Sequence, residues 1–144
     1  MKLSAILLTF IAATSPAIAD DIFLACQGIT TRNEGSRGYK SSPVIVQMRI
    51  DTTAGTLKLS GLSCWAGKGN CSALRLNIKE HSFYAFGDGK LTGSGYQTSI
   101  EVDRRSGYLK FDQAKDLLTG PATANRPVSE TAELLCQGGS QARF

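Results

Sequence analysis

The sequence contains one histidine, His81, and imidazole is the side chain most often used as a general base or metal ligand near neutral pH. A histidine-based triad also needs a nucleophile and an orienting carboxylate, and no motif pairs His81 with either of them. His81 follows Glu80 at the start of a predicted strand. We therefore interpret it as an ordinary surface residue.

Two carboxylates, Glu101 and Asp103, are separated by one residue and so lie on the same face of a predicted strand. Paired carboxylates can transfer protons or bind a cation. Arg104 and Arg105 follow them directly, which favours a solvated group whose charges compensate one another. We predict no catalytic role for this pair.

The glycine-rich segment 87–93, GDGKLTG, has some similarity to a phosphate-binding loop. It lacks the Gly-Lys-Ser/Thr ending and the helix that would direct backbone amides at a phosphate. We interpret it as a flexible connection between two strands. Since no other motif offers a convergent catalytic set, the sequence predicts a protein that is not an enzyme and needs no cofactor.

Residues 1–19 have the three parts of a secretory signal peptide. Lys2 supplies the positive charge, Leu3–Ala13 is the apolar run, and Ala17-Ile18-Ala19 is a small-x-small cleavage site. The apolar run is too short to span a membrane, so we predict no transmembrane anchor. We expect a periplasmic or secreted protein in which residues 20–144 form a single domain.

The four cysteines predict two disulfides, because an exported chain meets an oxidising environment. Three pairings are possible. We favour Cys64–Cys71, which closes a short loop, and Cys26–Cys136, which joins the two ends of the domain. A zinc site is the competing interpretation, but Cys64 and Cys71 are farther apart than the usual two-to-four-residue ligand spacing. We predict no metal site.

Trp65 and Lys68 lie between two of these cysteines, in the segment CWAGKGNC. A disulfide-closed loop holds its side chains in place, and rigid aromatic side chains often supply binding energy at interfaces. The alternative is that Trp65 covers an open end of the core. We predict that Trp65 and Lys68 take part in binding, and this alternative stays open.

Arg104 and Arg105 lie in a predicted turn and are candidates for binding an anionic partner, although exposed charge is common in turns. The other Lys and Arg residues are scattered singly, so the formal net charge of +4 does not form the basic stripe of a nucleic-acid-binding protein. An envelope protein or an acidic envelope polymer is a more suitable partner.

Apolar and polar residues alternate over several short segments, which is the pattern of half-buried β-strands. In the clearest case, strands 96–103 and 108–111 are joined by a turn in which Gly107 can take a positive φ. Further strands are predicted over 22–29, 44–50, 56–62, 74–78, 82–86 and 128–136, the last of which could also be helical. A polar loop is predicted over 31–42 and a short helix near 112–119. About eight strands predict an all-β protein, either a small antiparallel barrel or a sandwich.

The run IEVDRRSGYLKF, which begins at Ile100, resembles a hairpin with the pattern I-D-R-x-[ST]-G-x-L of small exported bacterial proteins of unknown function. These proteins also tend to have an early Cys and a Cys-Gly near the end, as at Cys26 and Cys136-Gln-Gly. The resemblance covers about a dozen residues and the two ends. It implies a small periplasmic β domain and no particular activity.

The segment 92–96, TGSGY, resembles the Ser-Gly-x-x-Tyr motif of periplasmic C-type lysozyme inhibitors, which are small β-barrels. Thr92 replaces the Ser of that motif, and the residues that follow do not reproduce the family's Trp and Lys-Gly segment. The resemblance implies that Thr92, Gly93 and Tyr96 would face the cleft of an enzyme.

These observations predict a non-catalytic exported binding module. Its candidate binding residues are Trp65, Lys68, Thr92, Tyr96, Arg104 and Arg105. The alternatives are an inhibitor of an envelope hydrolase such as lysozyme, and a carrier that holds a small apolar ligand inside a barrel.

Overall fold

The computed structural model describes residues 21–88, 95–115 and 128–138. They form eight strands in one sheet, in which all neighbouring strands are antiparallel. The strands are β1 (Asp21–Asn33), β2 (Tyr39–Asp51), β3 (Thr56–Ser60), β4 (Arg75–Ile78), β5 (Ser82–Asp88), β6 (Tyr96–Asp103), β7 (Tyr108–Lys115) and β8 (Ser129–Gly138). Their order across the sheet is β3-β2-β1-β8-β7-β6-β5-β4.

The sheet curves into a nearly closed barrel. The first strand, β1, pairs with the last strand, β8, and every other pair of consecutive strands except β3 and β4 is hydrogen-bonded. β3 and β4 are the two edges, and they lie close to each other. The predicted all-β class with about eight strands is confirmed, and the architecture is a barrel rather than a sandwich.

The barrel has two ends that differ in their connections. At one end, which we call the turn end, lie the short connections 52–55, 79–81 and 104–107. At the other, the loop end, lie the connection 34–38 and the long segment 61–74, which contains the Cys64–Cys71 loop. Each strand runs from one end to the other, so residues far apart in the sequence meet at each end.

Large apolar side chains fill the interior of the described barrel. The strands place every second residue inward, and the largest fully buried apolar side chains are Phe111, Met48, Ile50, Leu57, Ile100, Leu109 and Leu134. Because these side chains occupy the interior, the barrel has a packed core of the ordinary kind.

The helix predicted near 112–119 is wrong for Asp112 to Lys115, which form the last part of β7. Strand β7 continues its alternation there, because Gln113 follows Leu109 and Phe111 on the inner face. Ladders to β6 and β8 on both sides stabilise the extended form and outweigh the helix propensity of this short segment. Residues 116–119 lie outside the described residues, and so does the predicted signal peptide.

Two predicted connections are shorter than expected. Most of the polar loop predicted over 31–42 is strand, because β1 extends to Asn33 and β2 begins at Tyr39. Exposed polar side chains there support the ladder, as when the hydroxyls of Thr31 and Ser41 hydrogen-bond at 2.9 Å. The first two residues of the predicted 87–93 connection belong to β5, and residues 89–93 lie outside the described part of the chain.

Both predicted disulfides are present, Cys26–Cys136 and Cys64–Cys71. Cys26 and Cys136 are register partners on β1 and β8, so their bond joins the first strand to the last. Its two cysteines are 110 residues apart in the sequence. The other disulfide closes a loop across 7 residues at the loop end.

The turn between β6 and β7 depends on Gly107, which has a φ of 72°, as predicted. A Cβ atom at this position would lie 2.6 Å from the carbonyl oxygen of Cys136. We expect Gly107→Ala to lower the free energy of unfolding by about 3 kcal/mol, from the unfavourable φ and the steric contact together. Denaturation in urea measures this loss.

Gly55→Ala is the matched control for this substitution. Gly55 has a φ of 63°, and a Cβ atom added to it would have no heavy atom within 4 Å. The free energy of unfolding of this variant should fall by only about 1 kcal/mol, which is the cost of a non-glycine residue at a positive φ. Equal losses in both variants would contradict the role of the contact between residue 107 and Cys136.

Candidate binding sites at the two ends of the barrel

The predicted binding residues lie at opposite ends of the barrel. Trp65 and Lys68 are in the loop that covers the loop end, and Tyr96 is the first residue of β6 beside it. Arg104 and Arg105 are in the β6–β7 turn at the turn end. Thr92 lies outside the described residues. The structure therefore separates the predicted residues into two candidate sites.

The Cys64–Cys71 loop folds back onto the loop end of the barrel. It contains two single-turn 3₁₀ helices, Trp65–Gly67 and Cys71–Ala73, and both cysteines are buried. Lys68 ends the first helix with a φ of 53°, and its side chain is exposed. The loop is thus a compact, internally bonded cover over the core.

A buried amide, Gln113, attaches this cover to the barrel. Its Oε1 accepts hydrogen bonds from the backbone N–H of Trp65 at 3.0 Å and from the Thr98 hydroxyl at 3.2 Å. Its Nε2 donates to the carbonyl of Ser63 at 3.0 Å and to Glu130 Oε2 at 2.7 Å. Gln113 is 3% exposed, so these bonds satisfy a buried polar group.

The network continues to a buried carboxylate on β8. Glu130 is 2% exposed, and its Oε1 accepts hydrogen bonds from the Thr30 hydroxyl at 3.1 Å and from Arg32 Nη2 at 3.0 Å. The side chain of Arg32 is 45% exposed, so the ion pair joins the interior to the solvent. Thr98 completes the network by accepting from the N–H of Ala66 at 3.1 Å.

The buried polar group formed by Thr30, Thr98, Gln113 and Glu130 was not predicted from the sequence. The available signal was alternation, because Gln113 continues the inward series of Leu109 and Phe111, and Glu130 precedes the inward Ala132 and Leu134. Because a helix was predicted over Gln113, its place in this inward series was not recognised. No local pattern shows that side chains from β1, β6, β7 and β8 meet.

Trp65 packs against Tyr96 at the loop end. Their ring centroids are 5.0 Å apart and the rings are inclined at 69°, an edge-to-face arrangement. Tyr96 is 7% exposed, whereas Trp65 remains partly exposed. Trp65 thus covers Tyr96 and also contributes to the surface, together with Lys68.

At the turn end, Arg104 holds the β4–β5 connection in place. Its Nη1 donates to the carbonyl of Glu80 at 3.2 Å, and its guanidinium carbon lies 5.0 Å from the ring centroid of Phe83. The backbone N–H of Arg104 donates to the carbonyl of His81 at 2.8 Å. The two turns are therefore fixed relative to each other.

Asp103 belongs to the β6–β7 turn rather than to a carboxylate pair. Its Oδ1 accepts hydrogen bonds from the backbone N–H groups of Arg105 and Ser106, each at 2.8 Å. The bond from Ser106, followed by the bond from Arg105, lowers the pKa of Asp103 below its ordinary value, so the carboxylate stays ionised. Glu101 lies opposite Lys110 on the exposed face. This arrangement is that of a structural turn.

His81 is exposed, as predicted, but it also contacts Arg105, which sequence analysis did not anticipate. Arg105 Nη2 lies 2.8 Å from His81 Nε2. These residues meet because Ser82 pairs with Asp103 in the β5–β6 ladder, which places the two turns side by side. A surface depression of about 300 Å³ lies at this point, lined by Glu80, His81, Arg104 and Arg105.

No family model, curated protein or solved structure matches the chain. In residues 21–88, 95–115 and 128–138, no three His, Cys, Asp or Glu side chains are grouped so that they could hold a metal ion. Within the same ranges no helix is long and apolar enough to cross a membrane. The two ends of the barrel are therefore the candidate sites of function.

Proposed function

We propose that the protein is a non-catalytic, exported binding module that captures an envelope partner at the loop end of its barrel. The observation that carries the proposal is a partly exposed Trp65 on a loop closed by the Cys64–Cys71 disulfide. Binding at a rigid aromatic side chain loses little conformational entropy, which is why such residues often dominate interface energies.

Contacts beneath the loop support this rigidity. The N–H groups of Trp65 and Ala66 are bonded to Gln113 and Thr98 on the barrel, and the indole ring packs on Tyr96. The exposed Lys68 adds a positive charge to the same loop. A partner with an apolar patch next to an acidic group, on an envelope protein or polymer, suits this surface best.

The two alternatives have less support. In the inhibitor alternative Tyr96 would face the cleft of an enzyme, but the Tyr96 side chain is buried beneath Trp65. In the carrier alternative an apolar ligand would occupy the barrel, but large side chains such as Phe111 and Met48 fill the described interior. We therefore retain the binding module alone.

Trp65→Ala tests the proposal. We expect this variant to capture about tenfold less partner than the unaltered protein when both are immobilised and exposed to cell-envelope extract, because it removes the anchoring side chain. The identified partner is then titrated against both proteins to obtain Kd. Lys68→Gln should weaken binding less, because a charge at the edge of an interface contributes little affinity.

Phe23→Ala is the matched control, since Phe23 is an aromatic residue of the turn end that is 49% exposed. Circular dichroism and urea denaturation establish that each variant is folded under the assay conditions. Equal capture by folded Trp65→Ala and by the unaltered protein would refute the role of the loop end.

A further inference from the structure

We infer that the depression lined by Glu80, His81, Arg104 and Arg105 is a binding site for a phosphate group. It lies at the turn end, so it is a second site, separate from the Trp65 surface and independent of the proposed function. We call it the basic depression. Its donors come from two connections, 79–81 and 104–107, that the β5–β6 ladder holds together.

The guanidinium groups at this site are held in place but keep donors available. Among the described residues, Arg104 uses Nη1 for the carbonyls of Lys79 and Glu80, and Arg105 uses Nη2 for His81. The other N–H groups of both side chains make no hydrogen bond to residues in the described part of the chain. An arginine has five N–H donors in a planar fork, which matches the oxygens of a phosphate.

His81 Nε2 lies near one hydrogen-bond donor and one acceptor, and it can bond to only one of them at a time. It lies 2.8 Å from Arg105 Nη2 and 3.4 Å from Glu80 Oε1. A neutral Nε2 can accept from the arginine, whereas a protonated Nε2 can donate to the carboxylate. A bound oxyanion removes this conflict, because a protonated His81 and Arg105 can then both donate to its oxygens.

The surrounding charges favour an anion. Two of the four lining residues are arginines, and the Asp103 carboxylate is engaged by the backbone of its own turn. Glu80 is the one carboxylate that lines the depression, and its side chain is 86% exposed. It can therefore turn towards the solvent when a phosphate enters.

The test uses the fact that His81 is the only histidine in the chain. Inorganic phosphate is added to the intact protein at constant pH and ionic strength, and the proton NMR signal of the His81 ring C–H groups is followed. We expect a saturable shift of these signals, because a bound phosphate lies against the His81 ring that lines the depression. A shift that is absent, or that rises linearly without saturation, would overturn the proposal.

Four variants locate the site. Arg105→Gln should weaken phosphate binding about tenfold or more, since it removes a charged donor. Arg75→Gln, which removes an equal charge from the exposed start of β4 near the loop end, should leave binding unchanged.

Glu80→Gln should tighten binding about threefold by removing a competing negative charge, and Glu34→Gln at the loop end is its control. An equal effect of each variant and its control would show that only net charge matters and would overturn the site.

Two further titrations identify the source of the phosphate. Acetate at the same ionic strength should produce no saturable shift, and an equal response to acetate would refute a phosphate site. Vesicles of phosphatidylglycerol mixed with phosphatidylcholine are then compared with vesicles of phosphatidylcholine alone. If the protein sediments with the anionic vesicles and the Arg105→Gln variant does not, the site binds a lipid headgroup. If the protein responds to inorganic phosphate but does not sediment with the vesicles, the site binds the free ion.

Discussion

Gln113→Ala should lower the free energy of unfolding by about 3–5 kcal/mol, one of the two largest effects that we expect in this protein. The substitution removes four hydrogen bonds of the Gln113 side chain, two to the loop at Trp65 and Ser63 and two to the barrel at Thr98 and Glu130. Each buried partner that loses its bond retains the cost of desolvation, about 1–3 kcal/mol for a neutral group. Denaturation in urea, followed by circular dichroism, measures the loss.

The same substitution should loosen the Cys64–Cys71 loop. The N–H of Trp65 loses its acceptor on the barrel, so amide hydrogen exchange at residues 65 and 66 should become faster relative to the strands. This local effect separates the role of Gln113 in holding the loop from its role in packing. If Gln113→Ala is folded and amide hydrogen exchange in the loop is unchanged, Gln113 does not hold the loop on the barrel.

Gln97→Ala and Gln113→Met are the controls. Gln97 lies on the exposed face of β6, and its replacement should change stability by less than about 0.5 kcal/mol. Gln113→Met keeps a side chain of similar length without the hydrogen bonds. If the methionine variant were as stable as the unaltered protein, packing rather than hydrogen bonding would explain the effect of alanine.

Replacing Cys26 and Cys136 together by alanine should lower the free energy of unfolding by about 4–5 kcal/mol. This disulfide joins β1 to β8 across 110 residues, so its loss gives the unfolded chain a large gain in conformational entropy. A domain of this size is typically stable by about 5–15 kcal/mol, so the variant should be close to unfolding at 37 °C. Guanidinium denaturation at several temperatures measures the change.

The Cys64–Cys71 pair provides the internal comparison, because its cysteines are 7 residues apart. Its replacement by alanines should cost about 2–3 kcal/mol by the same chain-entropy argument. A greater loss from the short loop than from the long one would contradict this argument and would show that contacts of the loop with the barrel dominate. Both double variants keep all other residues, so the difference between their free energies of unfolding, measured at a temperature at which both fold, reports the two disulfides alone.

Much of the fold could be predicted from local patterns. Alternation along 96–103 predicts β6, Gly107 predicts the turn that follows, and the number and spacing of the cysteines predict both disulfides. The strand and turn predictions succeed because each depends on neighbours in the sequence, and the disulfide prediction succeeds because the four cysteines form two pairs. The prediction of a helix near 112–119 is wrong for Asp112 to Lys115, because pairing with β6 and β8 determines their conformation and this pairing is not local in the sequence.

The sequence by itself therefore determined the all-β class and the principal strands, since period-two alternation acts over short distances. It predicted two disulfides and favoured one of three pairings, and the structure showed that this pairing is the one present. Only the tertiary structure decided which side chains meet. Thr30 and Glu130 are 100 residues apart in the sequence yet 3.1 Å apart in the barrel, because β1 pairs with β8. His81 and Arg105 meet for the same reason, through the β5–β6 ladder. Strand register sets both contacts, and it is specified by which face of each strand is buried in the assembled barrel.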